Sequence, residues 1–353
     1  MTALKLGSLF DGIGVFPLAA VHCGMEPVWA SEIEARPISI TRRHFPDMLH
    51  LGDITKISGA EIPPVDVITF GSPCQDLSQI GTRNGFAGKK SSLFYQAMRI
   101  IEEMRYATNG RYPAFCIWEN VAGAFSSNDR LDFAAMLRAF TGAEVPVPPR
   151  GWAHAGMVRG GRADTAWRLL DAQYWGEPAL AQRRKRVFVV ADFADQRAGE
   201  VLFKPRTVLP FSTISGPGGL SATQRGGVPV AQTGRQVPIV RPFSLRRMRT
   251  MAQVGDQKGF CASFGRGGEP FPTLLASVTA PFSFWYEGEE QDGFLRVLTP
   301  LECERLMGLP ENWTKYGCKN EEISDHARYR ALGNSIALPC AEYVMAGIAE
   351  VMN

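Results

Sequence analysis

Four side chains in this sequence combine into recognisable chemistry: one thiol, one carboxyl group and two guanidinium groups. The thiol is Cys74, in the stretch Gly71-Ser72-Pro73-Cys74-Gln75-Asp76-Leu77-Ser78. An apolar, β-branched run from Val65 to Phe70 precedes it and predicts a buried strand bounded by Pro64 and Gly71. The cysteine therefore stands just past a strand end, in a turn built by Gly, Ser and Pro. In open α/β sheets that is the end at which ligands bind. A lone cysteine is more often a buried structural thiol. The polar flanks Gln75, Asp76 and Ser78, and a Gly/Ser/Lys-rich segment at 81–92 able to act as a cover, favour a working one. The carboxyl group is Glu119, which follows another apolar run, Pro113 to Trp118. The guanidinium groups are Arg184 and Arg186 of Gln182-Arg183-Arg184-Lys185-Arg186, a cluster that runs straight into the strand-like Val187 to Val190. In an extended chain Gln182, Arg184 and Arg186 point one way. A thiolate with a carboxyl group suits covalent catalysis on an electron-poor ring.

Those residues need a scaffold, and the N-terminal part of the chain predicts one. Leu4 to Phe10 reads as a first strand, Asp11-Gly12-Ile13-Gly14 as a tight turn and Val15 to Cys23 as a helix. A glycine turn between strand and helix lets backbone approach a ligand closely, or serves packing alone. It is neither G-x-G-x-x-G nor a P-loop. Pro27 to Ala30 predicts a second strand ending at Ser31-Glu32-Ile33. An acid there, about twenty residues past the glycine turn, is placed for ribose hydroxyls or is simply solvated. A helix is expected over 35–45. Asp53 in Gly52-Asp53-Ile54 is a turn residue or a contact for an adenine amino group. Helical periodicity returns at 92–105 and 130–140. The Gly/Pro-rich 141–165 predicts an irregular connection, followed by strands at 167–175 and 187–190.

The chain has 353 residues, a net charge of +3 and ordinary hydrophobic and charged fractions. That is enough for a large domain and a smaller one, and an anionic partner is permitted without being demanded. Seven cysteines without C-x-x-C spacing argue against a disulfide framework and a zinc site, so no metal is expected. A reducing cytoplasm fits that pattern. No apolar run is long enough to span a membrane, and Asp11 interrupts any signal-peptide core. The five histidines, 22, 44, 50, 154 and 326, lie outside the strand-end blocks, which argues against a His-paired nucleophile.

From about Asp192 the composition shifts to Pro, Gly, Ser and Thr, and helical periodicity is expected to vanish until Leu298. This predicts a second, β- and loop-rich domain. Its arginines 241, 246, 247 and 249 suit phosphates or an ordinary charged surface. Thr299-Pro300-Leu301-Glu302 carries an N-cap, an N1 proline and an N3 glutamate, so a helix starts there and stops at Gly308. Gly333-Asn334-Ser335 and a last helix over 336–352 end the chain.

In order along the chain stand Phe10-Asp11-Gly12-Ile13-Gly14, Glu32, Gly52-Asp53-Ile54, Pro73-Cys74-Gln75, Glu119-Asn120-Val121, Gln182 to Arg186, Thr299 to Pro310 and Gly333-Asn334-Ser335. This ordered set closely resembles the cytosine-5 DNA methyltransferases of bacterial and bacteriophage type. Each block is weak alone; the set covers the chain except much of 193–294. The resemblance implies an α/β fold: a Rossmann-like methyltransferase sheet with a smaller β/loop-rich target-recognition domain. It divides the chain into a catalytic, cofactor-binding domain (1–191 and 326–353), a target-recognition domain (192–298) and a connecting segment (299–325). It implies S-adenosyl-L-methionine as donor, S-adenosyl-L-homocysteine as product, and a monomer acting on double-stranded DNA with no metal.

The resemblance also assigns roles. Phe10 would lie against the adenosyl moiety, with Gly12, Ile13 and Gly14 around the methionine end. Glu32 would bind the ribose, Ile33 would pack on adenine, Asp53 and Ile54 would frame its edge, and Pro73, Leu93, Asn334 and Ile336 would complete the pocket. Cys74 would attack carbon 6 of a flipped-out cytosine, Glu119 would serve ring nitrogen 3, Arg186 the ring carbonyl, and Arg184 a loop or a phosphate. Gln75, Ser78, Arg241, Arg266 and Thr273 would meet DNA. Ala181 stands where the family often has Pro, and the recognition domain is recognisable only at Thr273-Leu274. A tRNA-methylating relative would carry a Cys-Phe-Thr tripeptide in the smaller domain, and this sequence has none. A catalytically dead relative would lack part of the set Cys74, Glu119, Arg184 and Arg186, and all four are present.

Overall fold

The computed structural model describes residues 3–72, 93–204, 239–243, 270–271, 273–274, 282–286 and 293–353. Cys74, with Pro73, Gln75, Ser78 and the expected cover at 79–91, lies outside the described residues, as does Arg266. The chain divides into two compact units. The first takes 1–170, 185–205 and 341–353, and the second 171–184 and 206–340.

The first unit is built on a parallel α/β arrangement. β1 (Lys5–Leu9), α1 (Val15–His22), β2 (Glu26–Ser31), α2 (Ala35–His44) and β3 (Leu49–His50) lead to β4 (Val67–Phe70), α3 (Leu93–Ala107), β5 (Phe115–Val121) and α4 (Leu131–Thr141). β6 (Ala155–Arg159), β7 (Asp164–Asp171), β8 (Lys185–Asp192) and the short α5 (Ala198–Leu202) follow. The sheet order is β3-β2-β1-β4-β5-β8-β7-β6. β1 pairs with both β2 and β4 in parallel, and β4 pairs with β5 in parallel. From β1 the chain steps outward to β3, then returns to β4 on the other side of β1. The strand order therefore reverses between β1 and β4, and a crevice for ligands opens at such a reversal.

All four residues of β4 are buried, as a central parallel strand covered on both faces requires. α3 buries Phe94, Ala97, Met98, Ile101 and Met104, spaced by three and four residues along one face. They join Trp29, Phe70, Trp118, Phe133, Phe140 and Trp167 in one core cluster. Each such side chain contributes about 1.5–3 kcal/mol on burial.

The second unit contains a three-stranded antiparallel sheet, ordered β11-β10-β9, from β9 (Ile239–Phe243), β10 (Phe282–Tyr286) and β11 (Gly293–Val297). α6 (Pro300–Leu306) starts with the expected capping box: Thr299 accepts from the Glu302 N–H, and Glu302 accepts from the Thr299 N–H at 2.8 Å. Its buried Glu304 accepts from the Asn312 and Thr314 N–H groups and from Arg328 of α7 (Asp325–Asn334) at 3.1 Å, which fixes the turn after α6. α8 (Leu338–Met352) closes the chain.

Several expectations change. The stretch 141–165 is irregular only at first; it carries β6 and the start of β7, which pair antiparallel from Ala155↔Arg168 to Arg159↔Asp164. Gly156 made β6 look like loop, yet Trp167 of β7 lies over that glycine, so a Cβ there would overlap the indole. β7 is accordingly Asp164–Asp171 rather than 167–175. Helix α5 interrupts the region expected to lack helices. The Gly333-Asn334 block forms the end of α7, and α8 begins at Leu338 rather than Ile336, with Pro339 in its first turn. His50 closes β3, so one histidine does stand at a strand end. Among the described residues no single helix is long and apolar enough to cross a membrane, and no cluster of His, Cys, Asp and Glu suits a metal ion.

Candidate active site and cofactor cradle

Two groups of side chains gather at the C-terminal ends of the first unit's parallel strands. One lies past β1 and β2. Phe10 has φ 55°, a left-handed conformation that costs a non-glycine residue about 1–2 kcal/mol, and its ring packs against the core cluster. Gly12 and Gly14 follow at φ 60° and 77°. A Cβ on Gly12 would meet nothing within 4 Å, so the turn leaves open space beside its backbone. The Gly12 N–H donates to Glu32 Oε2 at 3.0 Å. Glu32 Oε1 accepts from the Ile33 and Glu34 N–H groups at 2.7 and 2.9 Å. The carboxylate is thus held in one orientation between the glycine turn and the end of β2. Ile33, beside it, is 72% exposed.

The Asp53 loop is tied to the same place. Ser31 Oγ donates to the Gly52 carbonyl at 2.7 Å, and the Leu51 N–H donates to the Ala30 carbonyl at 2.8 Å. Asp53 Oδ1 caps the short 3-10 turn Ile54–Lys56, accepting from the Thr55 N–H and hydroxyl, which together hold its carboxyl below the usual range. Asp53 is therefore a turn residue in this structure. Ile54 is 3% exposed in the core, so only its main chain can frame a ligand edge. Leu93 opens α3 and packs against the core. Ile13 is buried behind the turn. Asn334 ends α7, and Ile336 is buried in the second unit.

The other group lies at the C-terminal ends of β4 and β5 and the start of β8. β5 and β8 are antiparallel, with Glu119 opposite Phe188 and Val121 opposite Arg186. Arg186 is thus the diagonal neighbour of Glu119 on the same face. Its Nε lies 2.9 Å from Glu119 Oε1, with the two side chains 14% and 12% exposed. Gly71 follows β4 against this pair; a Cβ there would stand 3.1 Å from Glu119 Oε2 and crowd the carboxylate. Trp118 and Asn120, alternating with Glu119, grip the next residue. Trp118 Nε1 donates to Ser72 Oγ at 3.1 Å and Asn120 Nδ2 to the Ser72 carbonyl at 3.0 Å, while Asn120 Oδ1 accepts from the Val121 N–H at 2.8 Å. The chain leaves this grip two residues before Cys74. The Glu119-Asn120-Val121 block carried the signal for Asn120; nothing in the sequence shows that Trp118 and Ser72 meet.

The second unit adds detail to two assignments. The alternation within Gln182–Arg186 holds, with Gln182 and Arg184 buried and Arg183 and Lys185 exposed. But Arg184 is 1% exposed, and its guanidinium donates to the carbonyls of Leu274 and Gly333 at 2.8 Å each and to that of Ser335. It has no surface to offer a phosphate or a base; it supports main chain, as Lys could not with one compact charge. Thr273 Oγ1 donates to the Arg183 carbonyl at 2.7 Å, and Gln182 Oε1 accepts from the Leu274 N–H at 3.0 Å. The Thr273-Leu274 pair therefore anchors the Gln182 block. Arg241 lies on β9 opposite Phe284.

The profile of the C-5 cytosine-specific DNA methylase family matches residues 4–210 and 242–350. The chain belongs to this family. It is 25% identical over 463 residues to the DNA N-6-adenine-methyltransferase of Escherichia phage P1, across 98% of this chain and 61% of that protein, so it spans less than two thirds of that relative. It is 27% identical over 357 residues to the type II methyltransferase M1.ScrFI of Lactococcus lactis subsp. cremoris, across 99% of this chain and 78% of the relative. The solved S. pombe Dnmt2 methyltransferase shares the fold over 100% of both chains, with a TM-score of 0.62 at 15% identity. The family's mixed α/β sheet, with its strand reversal between β1 and β4, is the architecture found here.

Proposed function

We propose that this protein methylates carbon 5 of cytosine in double-stranded DNA, using S-adenosyl-L-methionine, through a covalent adduct of Cys74. The observation that carries the reading is the Glu119–Arg186 pair beside Gly71 and Ser72, because it puts an acid and a guanidinium where the chain leads into Cys74. The cradle past β1 and β2 fits the cofactor: open space beside Gly12, an oriented carboxylate at Glu32 for ribose hydroxyls and an exposed apolar Ile33 for a flat base. Phe10, Gly14, Asp53 and the main chain of Ile54 border that cradle.

The chemistry follows from the ring. Carbon 5 of cytosine is a weak nucleophile. The Cys74 thiolate adds to carbon 6, and the displaced π electrons make carbon 5 enamine-like. Glu119 gives a proton to ring nitrogen 3, so negative charge does not build there, and Arg186 donates to the ring carbonyl oxygen. S-adenosyl-L-methionine, held beside Glu32, would supply the methyl group on a sulfonium sulfur, with S-adenosyl-L-homocysteine as the leaving group. Loss of the carbon 5 proton to water and return of the nitrogen 3 proton to Glu119 restore the neutral ring and expel the Cys74 thiolate. A stacked base offers neither ring face, so the cytosine is flipped out. Arg241 and Arg266 remain the candidates for contacts to DNA in the second unit, and Gln75 and Ser78 in the Cys74 stretch.

The phage P1 relative bears an adenine-methylating name, which gives a second reading. An exocyclic amine attacks the methyl group directly and needs neither a thiolate nor an acid at a ring nitrogen. Digesting methylated duplex DNA to nucleosides decides between them: 5-methylcytosine is expected, and N6-methyladenine alone would overturn the proposal. Transfer of tritiated methyl to tRNA but not to duplex DNA would overturn the substrate.

A further inference from the structure

We infer that Arg130 and Arg150, on the first unit, form a phosphate-binding subsite for the backbone of duplex DNA beside the target nucleotide. This rests on the DNA reading above and adds a contact outside the second unit, by two residues to which that reading gave no part.

Arg130 stands on the rim of the candidate active site. β5 carries Glu119 and ends at Val121, two short turns follow at Ala122–Phe125 and Ser127–Arg130, and α4 starts at Leu131. The second turn is strained. Asn128, Asp129 and Arg130 have φ 46°, 52° and 75°, three successive left-handed residues and none of them glycine. Such strain persists only where surrounding contacts hold it, and it gathers at ligand clamps. Here the contacts are at hand. Buried Asp132 accepts from Ser127 Oγ at 2.5 Å and from Asn128 Nδ2 at 3.0 Å, and the Arg130 carbonyl accepts from Trp152 Nε1 at 3.1 Å. Trp152 is itself packed edge-on against Phe133 and Trp167, with ring centroids 5.0 and 6.0 Å away.

The same tie brings Arg150 to Arg130. Arg130 Nη1 donates to the Pro149 carbonyl at 3.1 Å. Gly151 has φ 88°, and a Cβ there would stand 3.6 Å from Arg130 Cζ. The guanidinium thus lies against main chain on both sides of Arg150, whose own side chain is exposed. Other arginines of this unit meet carboxylates: Arg138 meets Glu144, Arg159 meets Asp164, Arg162 meets Glu102 and Arg186 meets Glu119. Arg130 and Arg150 meet none among the described residues; even Asp129, exposed and next in the chain, pairs with neither. From 145 to 163 the sequence has no acid. Neighbouring guanidinium groups without a carboxylate suit an anion that repeats along a chain, the successive phosphates of one DNA strand. A nucleotide whose base reaches Glu119 and Arg186 brings its own strand across this rim.

Phosphate contacts set affinity and its salt dependence rather than the choice of sequence. The test is fluorescence anisotropy of a labelled duplex of mixed sequence, titrated with the full chain between about 0.05 and about 0.2 M salt. Arg150→Ala should weaken binding about fivefold to tenfold at about 0.1 M salt and reduce the slope of log K against log salt by about one. Arg150→Glu should weaken it further. Arg111→Ala removes the same charge from an exposed site before β5 begins, at the opposite end of that strand, and should leave the slope unchanged. Arg130→Gln should add its own loss to that of Arg150→Ala; if it does not fold, the Arg150 variants decide alone. An Arg150→Ala protein that keeps the wild-type slope and affinity, or an Arg111→Ala protein that loses as much, overturns the inference. So does an Arg150→Ala protein that loses affinity for transfer RNA but not for the duplex. Wild type that binds no duplex overturns the DNA reading and the inference with it, an outcome distinct from a wild type that binds and an Arg150→Ala protein that binds equally well.

Discussion

The two groups at the strand ends of the first unit differ in how complete they are. At the ends of β4 and β5 and the start of β8 two contacts are made within the protein: Glu119 meets Arg186, and Ser72 is held by Trp118 and Asn120. Past β1 and β2 the oriented carboxylate of Glu32 and the exposed side chain of Ile33 stand beside the open space at Gly12. The first arrangement is a preassembled clamp that aims groups at a reaction centre without a ligand's help. The second leaves open space for a ligand beside Gly12. Damage to the first should therefore act on turnover, and damage to the second on affinity.

The largest separation should come from Cys74→Ser. A serine hydroxyl is far less ionised than a thiol near neutral pH, so methyl transfer should fall by more than about a thousandfold. Binding of S-adenosyl-L-homocysteine should stay within about twofold, and duplex DNA carrying 5-fluorocytosine, trapped by wild type, should no longer be trapped. Serine turnover near the wild-type rate would remove the covalent step from the proposal. Glu119→Gln should come next, lowering kcat by about 10²–10³-fold with cofactor affinity unchanged, because the amide cannot deliver a proton. A change in KM for the cofactor alone would mean that the two groups are not separate.

Glu32→Ala tests the other side. One or two charge-assisted hydrogen bonds to ribose are lost, each about 1.5–3 kcal/mol, and calorimetry should show the weakened binding. Saturating donor should restore most of kcat; a kcat that stays low would show that Glu32 serves chemistry rather than binding. The smallest effect is expected from Ser72→Ala. It leaves the buried Trp118 indole N–H without its acceptor, at a cost of about 1–3 kcal/mol, read as a lower Tm. Turnover should fall more than cofactor affinity, since the altered grip lies two residues from Cys74. An unchanged Tm would mean that water replaces the hydroxyl.

Much of this was legible in local sequence. The apolar run before Cys74 is β4, the Thr299–Glu302 signal is a capping box, and the alternation in Gln182–Arg186 is the burial observed. Each depends on near neighbours in the chain, through strand period, cap chemistry or glycine conformation. The weaker elements failed for the opposite reason. β6 is a strand because β7 pairs with it, and the two residues of β3 are a strand because β2 is there. Their composition alone reads as loop.

The sequence by itself determined the α/β class, the set of chemical groups and the order in which they arrive at strand ends. It could not determine which of two like residues does which work. Arg184 and Arg186 belong to one block and differ by one strand repeat. Only the tertiary structure buries the first among the carbonyls of Leu274, Gly333 and Ser335 and sets the second against Glu119. In the same way Asp11 looks like any turn residue until Ser8, Thr41 and Glu32 close around it. A side chain's type is written in the chain, but its partner is set by segments far away in sequence, and the partner fixes its charge, its burial and its task.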